Sequence, residues 1–197
     1  RLLETLQPNI RVFGCGGCGS NTIERLTSEG LFDRERVRGL AVNTDAQHLL
    51  RVNVDEKMLI GRTARGRGAG GNPEKGEQAA FESESMLTKE VKDCDLAFIT
   101  AGLGGGTGTG SAHVLARLCK DAGALTIAIV TLPFSNEGAR RSRNARIGLE
   151  KLRKCAGVDV LDSSIEPYNV NIPVCDQYSC VTENSAYNHP EDSCGNI

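Results

Sequence analysis

Short apolar runs alternate with amphipathic stretches along most of the chain. The runs have the length of buried strands, and the stretches between them repeat their apolar residues at helical spacing. The predicted strands are Ile10–Phe13, Leu40–Val42, Met58–Ile60, Leu96–Thr100, Leu125–Thr131 and Val158–Leu161. The predicted helices run over about Asn21–Glu29, Pro73–Val91, Gly110–Ala122 and Glu137–Cys155. This alternation predicts an α/β fold, a Rossmann-like parallel sheet with helices on both faces.

The composition changes after residue 161. Residues 162–197 hold three of the six prolines and three of the eight cysteines, and they show no helical period. The 197 residues, 39% of them apolar, suffice for one good core. We therefore expect one domain over residues 1–161 and an irregular or disordered tail over residues 162–197.

The charge pattern excludes some partners. The formal net charge is -2, and both signs are spread along the chain, so no basic field is available for nucleic acid or anionic lipid. No apolar run approaches the roughly 20 residues that cross a bilayer. The first ten residues also lack the apolar region of a secretory signal. We expect a cytoplasmic protein that binds no nucleic acid and does not insert into a membrane.

The cysteines give little sign of metal or redox chemistry. Five of them, Cys15, Cys18, Cys94, Cys119 and Cys155, lie in regular segments and are predicted to be reduced, semi-buried thiols. Cys15 and Cys18 form a C-x-x-C pair, but no second pair follows nearby. A possible zinc set of Cys175, Cys180, His189 and Cys194 fits no standard spacing. No metal site built from protein ligands alone is predicted.

The first glycine-rich connection, Gly14–Asn21, follows a predicted strand and opens a helix. Glycines there let backbone N–H groups approach phosphate oxygens, and the helix N-terminus adds a favourable dipole. The candidate contacts in this loop are Gly16, Gly17, Cys18, Gly19, Ser20 and Asn21. The loop also satisfies G-x-G-x-x-G, and Asp45 could serve as the ribose-binding acid of an NAD enzyme. Taken alone, this loop leaves an NAD-dependent Rossmann enzyme open.

Two more glycine-rich connections, Arg67–Pro73 and Gly102–Gly110, also end at predicted helix starts. The first of the two could be a plain surface loop. The second contains five glycines and two threonines between Gly104 and Gly110, which a simple turn would not require. The candidate phosphate contacts are Gly70, Gly71, Asn72, Gly105, Gly106, Thr107, Gly108 and Thr109. An NAD-type domain needs only one such loop, so three of them favour a different nucleotide.

The remaining candidate contacts lie after the fifth predicted strand. Glu137 could accept hydrogen bonds from ribose hydroxyls, and Arg141 lies one helical turn later on the same face. A solvated helix start with an acidic first turn is the alternative. No Walker A motif is present, so the phosphates would be held by backbone donors and a divalent ion, for which Mg²⁺ is the natural choice.

Five motifs together resemble one family. GCGGCGSN, NTDAQHLL, GAGGNPEKG, GLGGGTGTGSA and TLPFSNEGARR follow one another as in FtsZ-type cell-division GTPases, archaeal ones above all, and the likeness runs from about Ile10 to Asp159. The resemblance implies binding of GTP or GDP with Mg²⁺ and head-to-tail polymerisation with other FtsZ-like subunits at the division site. It implies that Gly17–Asn21 and Gly106–Thr109 contact the nucleotide, that Gly70–Asn72 lies near the γ-phosphate, and that Glu137 and Arg141 hold the sugar. Cys18 stands where relatives usually have glycine or alanine.

The resemblance ends after Val160. The family's Asn-containing turn, long central helix and acidic synergy loop have no counterpart in residues 161–197. In FtsZ-like filaments, the synergy loop of one subunit completes the active site of its neighbour. The resemblance therefore assigns no catalytic residue to this chain and implies GTP binding with poor hydrolysis by the chain alone. A non-hydrolysing module that caps filaments is an alternative. Because the long central helix is missing, we also expect one face of the sheet to be exposed.

Overall fold

A computed structural model describes residues 7–33, 35–155 and 158–162. The strands are β1 (Ile10–Cys15), β2 (Val37–Asn43), β3 (Glu56–Leu59), β4 (Leu96–Gly102), β5 (Leu125–Thr131) and β6 (Val158–Asp162). The helices are α1 (Gly16–Ser28), α2 (Ala46–Arg51), α3 (Pro73–Glu82), α4 (Glu84–Val91), α5 (Thr107–Asp121) and α6 (Ala139–Lys154), with a 3₁₀ turn at Ser135–Glu137. Apart from Asp162, the predicted tail lies outside the described residues, and so do Cys175, Cys180, His189 and Cys194.

Within the described residues, six strands form one parallel sheet in the order β3-β2-β1-β4-β5-β6. The chain winds outward in both directions from β1 and β4. Gly14 of β1 is level with Ala41 of β2 and Thr100 of β4, so the carboxyl ends of these strands lie together. The predicted α/β class is confirmed. In such a sheet, ligands bind outside the carboxyl ends of the strands at the point where the winding direction reverses.

Apolar cores lie on both faces of the sheet. Leu40 and Val42 of β2 belong to the larger core, which they share with residues of α3, α4, α5 and α6. Ala41, which points to the opposite face, belongs to the smaller core with Ile23 of α1 and Leu49 of α2. The helices therefore cover both faces, as predicted.

The smaller core covers its face of the sheet only in part. Phe98 of β4 and both Ile127 and Ile129 of β5 are half-buried on that side, whereas Ile99 and Ala128, which point to the larger core, are fully buried. Part of one sheet face is thus accessible at these strands.

A buried cation stabilises the end of the sheet opposite the strands' carboxyl ends. The Arg11 side chain is almost fully buried and donates to the Glu56 carboxylate at 2.8 Å and to the Glu90 carboxylate at 2.5 Å. It also donates to the backbone carbonyl of Glu90. Because a buried charge is costly without partners, this arrangement fixes α4 and β3 against β1.

Two helices begin earlier in the sequence than predicted. α1 begins at Gly16 and not at Asn21, and α5 begins at Thr107 and not at Gly110. Glycine has a low helix propensity, which is why these residues were predicted as loops. Their glycines instead form the first helical turns, so the glycine-rich motifs are themselves helix N-termini.

Two other predictions about helices are wrong. The single helix predicted over Pro73–Val91 is broken at Ser83, which is buried and accepts a hydrogen bond from the Gly61 N–H at 2.9 Å through its hydroxyl. α2 was not predicted. It begins at Asp45, whose side chain accepts from the backbone N–H of His48 and caps the helix.

Glycines let α3 and α5 approach each other at the backbone. A Cβ atom on Gly110 would lie 2.1 Å from the Pro73 carbonyl oxygen and 2.4 Å from the Glu77 nitrogen. A Cβ atom on Gly76 would lie 2.3 Å from the Gly106 carbonyl oxygen. Neither neighbour can move aside alone, because both are main chain. The loops that precede these two helices are therefore held side by side.

We expect Gly110→Ala to lower the free energy of unfolding by about 2 kcal/mol, because the added methyl group meets backbone atoms of α3. In an open helix the same change would stabilise the protein by roughly 1 kcal/mol, so a loss isolates the clash. Urea denaturation measures the difference. Gly105→Ala is the matched control, since no atom lies within 4 Å of a Cβ there. Equal stability of the two variants would contradict the close approach.

Candidate functional site

A cavity of about 590 Å³ opens at the carboxyl ends of the strands, between the loops that follow β1, β2, β3, β4 and β5. Its size is within the roughly 300–1,000 Å³ typical of small-ligand sites. Ten of the predicted site residues line it: Gly17, Cys18, Gly70, Gly71, Gly105, Gly106, Thr107, Gly108, Glu137 and Arg141. All three glycine-rich connections therefore meet in one cavity at the reversal point of the sheet.

The N-termini of α1 and α5 both open onto this cavity. Neither helix has a side-chain cap at its N-terminus, where Cys15 and Gly106 stand, and neither has an acidic residue in its first turn. The first N–H groups of a helix have no partner within the helix, and the helix dipole makes this end partly positive. A Cβ on Gly16 would lie 2.7 Å from the Gly108 nitrogen, so the two helix starts touch. Together they form an anion-binding surface made of backbone.

Four predicted residues of the first loop lie outside the cavity lining. Gly19 packs under the loop, where an added Cβ would lie 2.5 Å from the Thr100 carbonyl oxygen. Ser20 is buried and donates its hydroxyl to the Gly16 carbonyl at 2.7 Å. Asn21 is exposed on α1. Gly16, Gly19 and Ser20 thus shape the turn from behind.

The two threonines of the third loop have different surroundings. Thr107 lines the cavity, and its hydroxyl lies 2.6 Å from that of Thr44. Thr109 is buried, and its hydroxyl oxygen accepts from the Gly104 N–H at 2.8 Å. Thr109 therefore holds the loop in shape from behind the cavity wall.

The second loop ends in a capped helix. The side chain of Asn72 accepts from the Glu74 N–H at 2.9 Å and caps α3. Asn72 follows the lining residue Gly71 but is not itself part of the lining. Gly70 and Gly71 have φ values of 59° and 70°, a left-handed conformation that favours glycine. The backbone of this loop, more than its side chains, faces the cavity.

Glu137 and Arg141 form an ion pair at the opposite rim. Their side chains are 2.5 Å apart across one turn, and Glu137 also accepts from the Phe134 N–H at 3.1 Å. The hydrogen bond from Arg141, with that from Phe134, holds the pKa of the Glu137 carboxyl below its ordinary value. The pair lies at the start of α6 and lines the cavity.

Several residues of the cavity lining were not predicted from the sequence. Asn43 and Thr131 end β2 and β5, and Arg67 lies in the second loop. His48 lines the cavity with its Nδ1 3.4 Å from the Asn43 side-chain nitrogen. Asp45 also lines the cavity, although its carboxylate caps α2. Position at the carboxyl end of a parallel strand is the signal that could have found Asn43 and Thr131.

The two cysteines of the C-x-x-C pair have different environments. Cys15 is fully buried, and burial raises the pKa of its thiol to about 12. Cys18 is exposed, with its sulfur 3.7 Å from the Thr131 hydroxyl, and is not semi-buried as predicted. All five cysteines of the described ranges are free thiols. Those ranges contain no cluster of three or more His, Cys, Asp or Glu placed to hold a metal, and no helix suited to crossing a membrane.

A charged cluster connects the three helices behind the loops. Glu77 of α3 contacts His113 of α5 at 2.9 Å and Lys151 of α6 at 2.5 Å. Burial raises the pKa of the Glu77 carboxyl, but the hydrogen bonds from Lys151 and His113 outweigh it, and the net pKa is lowered. Burial lowers the pKa of His113 despite the adjacent carboxylate. The anionic form of Glu77 therefore stabilises the packing of α3, α5 and α6.

We expect Glu77→Gln to flatten the acid limb of the stability curve. A carboxyl whose folded pKa is lowered stabilises the fold above its ordinary value, 4.5, and this contribution is lost as pH falls through the lowered folded pKa. At neutral pH the variant should lose about 1 kcal/mol of unfolding free energy. Chemical denaturation between neutral and acid pH checks both effects. A wild-type curve that is no steeper below pH 4.5 than the variant's would contradict this interpretation.

The fold and the cavity define a class. A doubly wound parallel sheet with glycine-rich helix starts converging at its reversal point is an α/β nucleotide-binding domain. The GTPase domain of the Tubulin/FtsZ family matches residues 9–161, and this chain belongs to that family. The match covers the span over which the motifs resemble FtsZ, so that resemblance is confirmed.

Archaeal relatives are similar over the same region. Cell division protein FtsZ 1 of Methanocaldococcus jannaschii is 54% identical over 157 residues, which are 78% of this chain and 42% of that protein. Cell division protein FtsZ 1 of Halobacterium salinarum is 51% identical over 156 residues, 79% of this chain and 39% of that protein. The chain thus spans about two fifths of the length of these curated relatives.

Solved structures agree with the fold. An empty FtsZ dimer from M. jannaschii has a TM-score of 0.77 at 48% identity, and the match covers 88% of this chain and 50% of that one. CetZ2 from Haloferax volcanii, in a GTPγS-bound protofilament, has a TM-score of 0.68 at 29% identity, with 78% of this chain and 49% of that one covered.

Proposed function

We propose that this chain binds GTP or GDP with Mg²⁺ as the nucleotide-binding part of an FtsZ-type cell-division GTPase. The observation that carries the proposal is the meeting of two uncapped helix N-termini and a third glycine-rich loop in one cavity. A nucleoside triphosphate is a polyanion, and N–H groups that converge from several loops suit it better than those of a single loop. A domain for NAD would leave two of these loops without a role.

Each part of the cavity would then hold a part of the nucleotide. The N–H groups at Gly17 and Gly106–Gly108 would bind the inner phosphates from the two helix starts. Gly70 and Gly71 would face the terminal phosphate, and the Glu137–Arg141 pair would hold the sugar. The lining places these groups around one space, which supports the assignment.

Mg²⁺ fits the residues of this cavity. Magnesium usually takes one or two carboxylates, and the nucleotide's phosphates and water supply its other ligands. Of the lining carboxylates, Glu137 has both oxygens engaged, one by Arg141 and one by the Phe134 N–H. Asp45 uses only its Oδ1 to cap α2, so its Oδ2 would be the carboxylate oxygen for the ion. Bound there, Mg²⁺ would neutralise charge that develops on the phosphates.

Hydrolysis would need a second subunit. In FtsZ-type filaments an acidic loop of the neighbour positions the attacking water, and we assign no catalytic group to this chain. We further propose that the chain acts in the cytoplasm at the division site, in contact with other FtsZ-like subunits. One M. jannaschii FtsZ structure is a dimer, and the CetZ2 structure is a protofilament, which supports a polymeric partner.

We expect a fluorescent GTP analogue to bind the purified chain in a Mg²⁺-dependent manner without displacement by NADH. Arg141→Ala should weaken binding about tenfold, because hydrogen bonds from a charged group contribute roughly 1.5–3 kcal/mol. Arg146→Ala, an exposed cation on the same helix outside the lining, is the matched control. Fluorescence titration gives the dissociation constants. Displacement by NADH, or equal loss in both arginine variants, would argue against the site.

We expect little phosphate release from the chain alone and a clear increase on adding a full-length archaeal FtsZ. The reason is that the neighbour would supply the groups that place the attacking water. A phosphate-release assay at matched protein concentrations measures this. Full turnover by the chain alone would show that it carries its own catalytic groups, and filament shortening without turnover would favour a capping module.

A further inference from the structure

One face of α6 contacts the second and the third glycine-rich connections. Arg140 and Asn144, one turn apart, each donate to the Gly71 carbonyl, at 3.4 Å and 3.2 Å. Asn144 also donates to the Gly104 carbonyl at 3.3 Å. Gly71 belongs to the second glycine-rich connection and Gly104 to the third. A single amide group therefore ties together two loops that are distant in sequence.

The direction of the Asn144 amide follows from its partners. Both neighbours are carbonyl oxygens, which only accept hydrogen bonds, so the NH₂ group must face them. The NH₂ group has two N–H donors, one for each carbonyl. The two hydrogen bonds use both N–H donors of the side chain. A side chain without donors at this position would remove one hydrogen bond from each carbonyl.

Both tied carbonyls belong to glycines in a left-handed backbone conformation. Gly71 and Gly104 have φ values of 70° and 106°, and glycine has more conformational freedom to lose than other residues. In a planar trans peptide the C=O and the following N–H point in opposite directions. Holding the Gly104 carbonyl on Asn144 therefore turns the Gly105 N–H away from α6, and Gly105 lines the cavity.

The close seating of α6 makes the contact possible. A Cβ on Gly148 would lie 2.5 Å from the Thr109 side chain, and the Arg141 carbonyl would lie 3.1 Å from a Cβ on Gly104. Asn144 lies between these two contacts on the helix and is half-buried. Small residues on both sides thus bring its short side chain within reach of both loops.

We propose that Asn144 is a positioning residue that sets the second and third glycine loops for the terminal phosphate. The inference rests on the proposed nucleotide binding and deepens it. Asn144 is not among the residues that line the cavity, so it acts through its hydrogen bonds to the Gly71 and Gly104 carbonyls. Its contribution is larger for a triphosphate than for a diphosphate, because the second loop faces the terminal phosphate.

The test compares Asn144→Leu, which keeps the size and removes the donors, with Glu150→Leu, which places the same side chain at an exposed position of α6. We expect Asn144→Leu to weaken GTP-analogue binding about tenfold and GDP binding by less than about threefold. Asn144→Gln, which retains the amide, should recover part of the loss. Equal weakening of GTP and GDP, or no change in either, would overturn the inference.

Hydrogen exchange without nucleotide tests the tie separately. Asn144→Leu should speed amide exchange in peptides that cover residues 68–72 and 102–106 and leave the strands unchanged, while Glu150→Leu should not. If the wild-type chain bound no guanine nucleotide, the proposed function would fail, and with it the role in phosphate binding. If the wild-type chain bound GTP and exchange in both loops were unaffected by Asn144→Leu, only the role of Asn144 would fail.

Discussion

The backbone contact between α5 and its neighbours is the constraint on which the site depends. Gly110 meets the first turn of α3, and an added Cβ on Gly108 would lie 2.9 Å and 3.0 Å from the carbonyl oxygens of Gly102 and Cys15. A side chain at either glycine would push the N-terminus of α5 out of the centre of the sheet. The same absence of side chains leaves the N–H groups of that terminus bare. The close packing and the bare N–H groups therefore both result from glycine at these positions.

The charged side chains of the cavity lining favour an anion-binding surface made mainly of backbone N–H groups. Its lining contains two cations, Arg67 and Arg141, and two carboxylates, Asp45 and Glu137. These balance, so the charged side chains offer no net positive charge. A polyanion would then be held by N–H dipoles and by a divalent ion that it brings with it. This contrasts with sites in which a lysine reaches the phosphates.

The sequence predicted the sheet and the meeting of the three loops because both follow from local patterns. Buried parallel strands are continuous apolar runs, and glycine clusters after strands mark sites where backbone approaches a ligand. Prediction from the sequence failed where a hydrogen bond to a residue outside the local pattern determines the structure. Ser83 breaks a helix because its hydroxyl is taken by the Gly61 N–H, and Thr109 turns away from the cavity to hold Gly104. The tie made by Asn144 was likewise missed, since its partners lie 73 and 40 residues away.

The central claim is that the three glycine-rich connections bind one ligand together. Nitrogen-edited NMR of glycine-labelled chain, titrated with GTPγS and Mg²⁺, reports on each loop separately. The account predicts that signals of Gly17, Gly71 and Gly106 shift along one saturation curve with one dissociation constant, while Gly30 and Gly123, outside the cavity, stay in place. A shift confined to the first loop would contradict it, because binding by one glycine-rich loop alone is typical of a dinucleotide-binding domain.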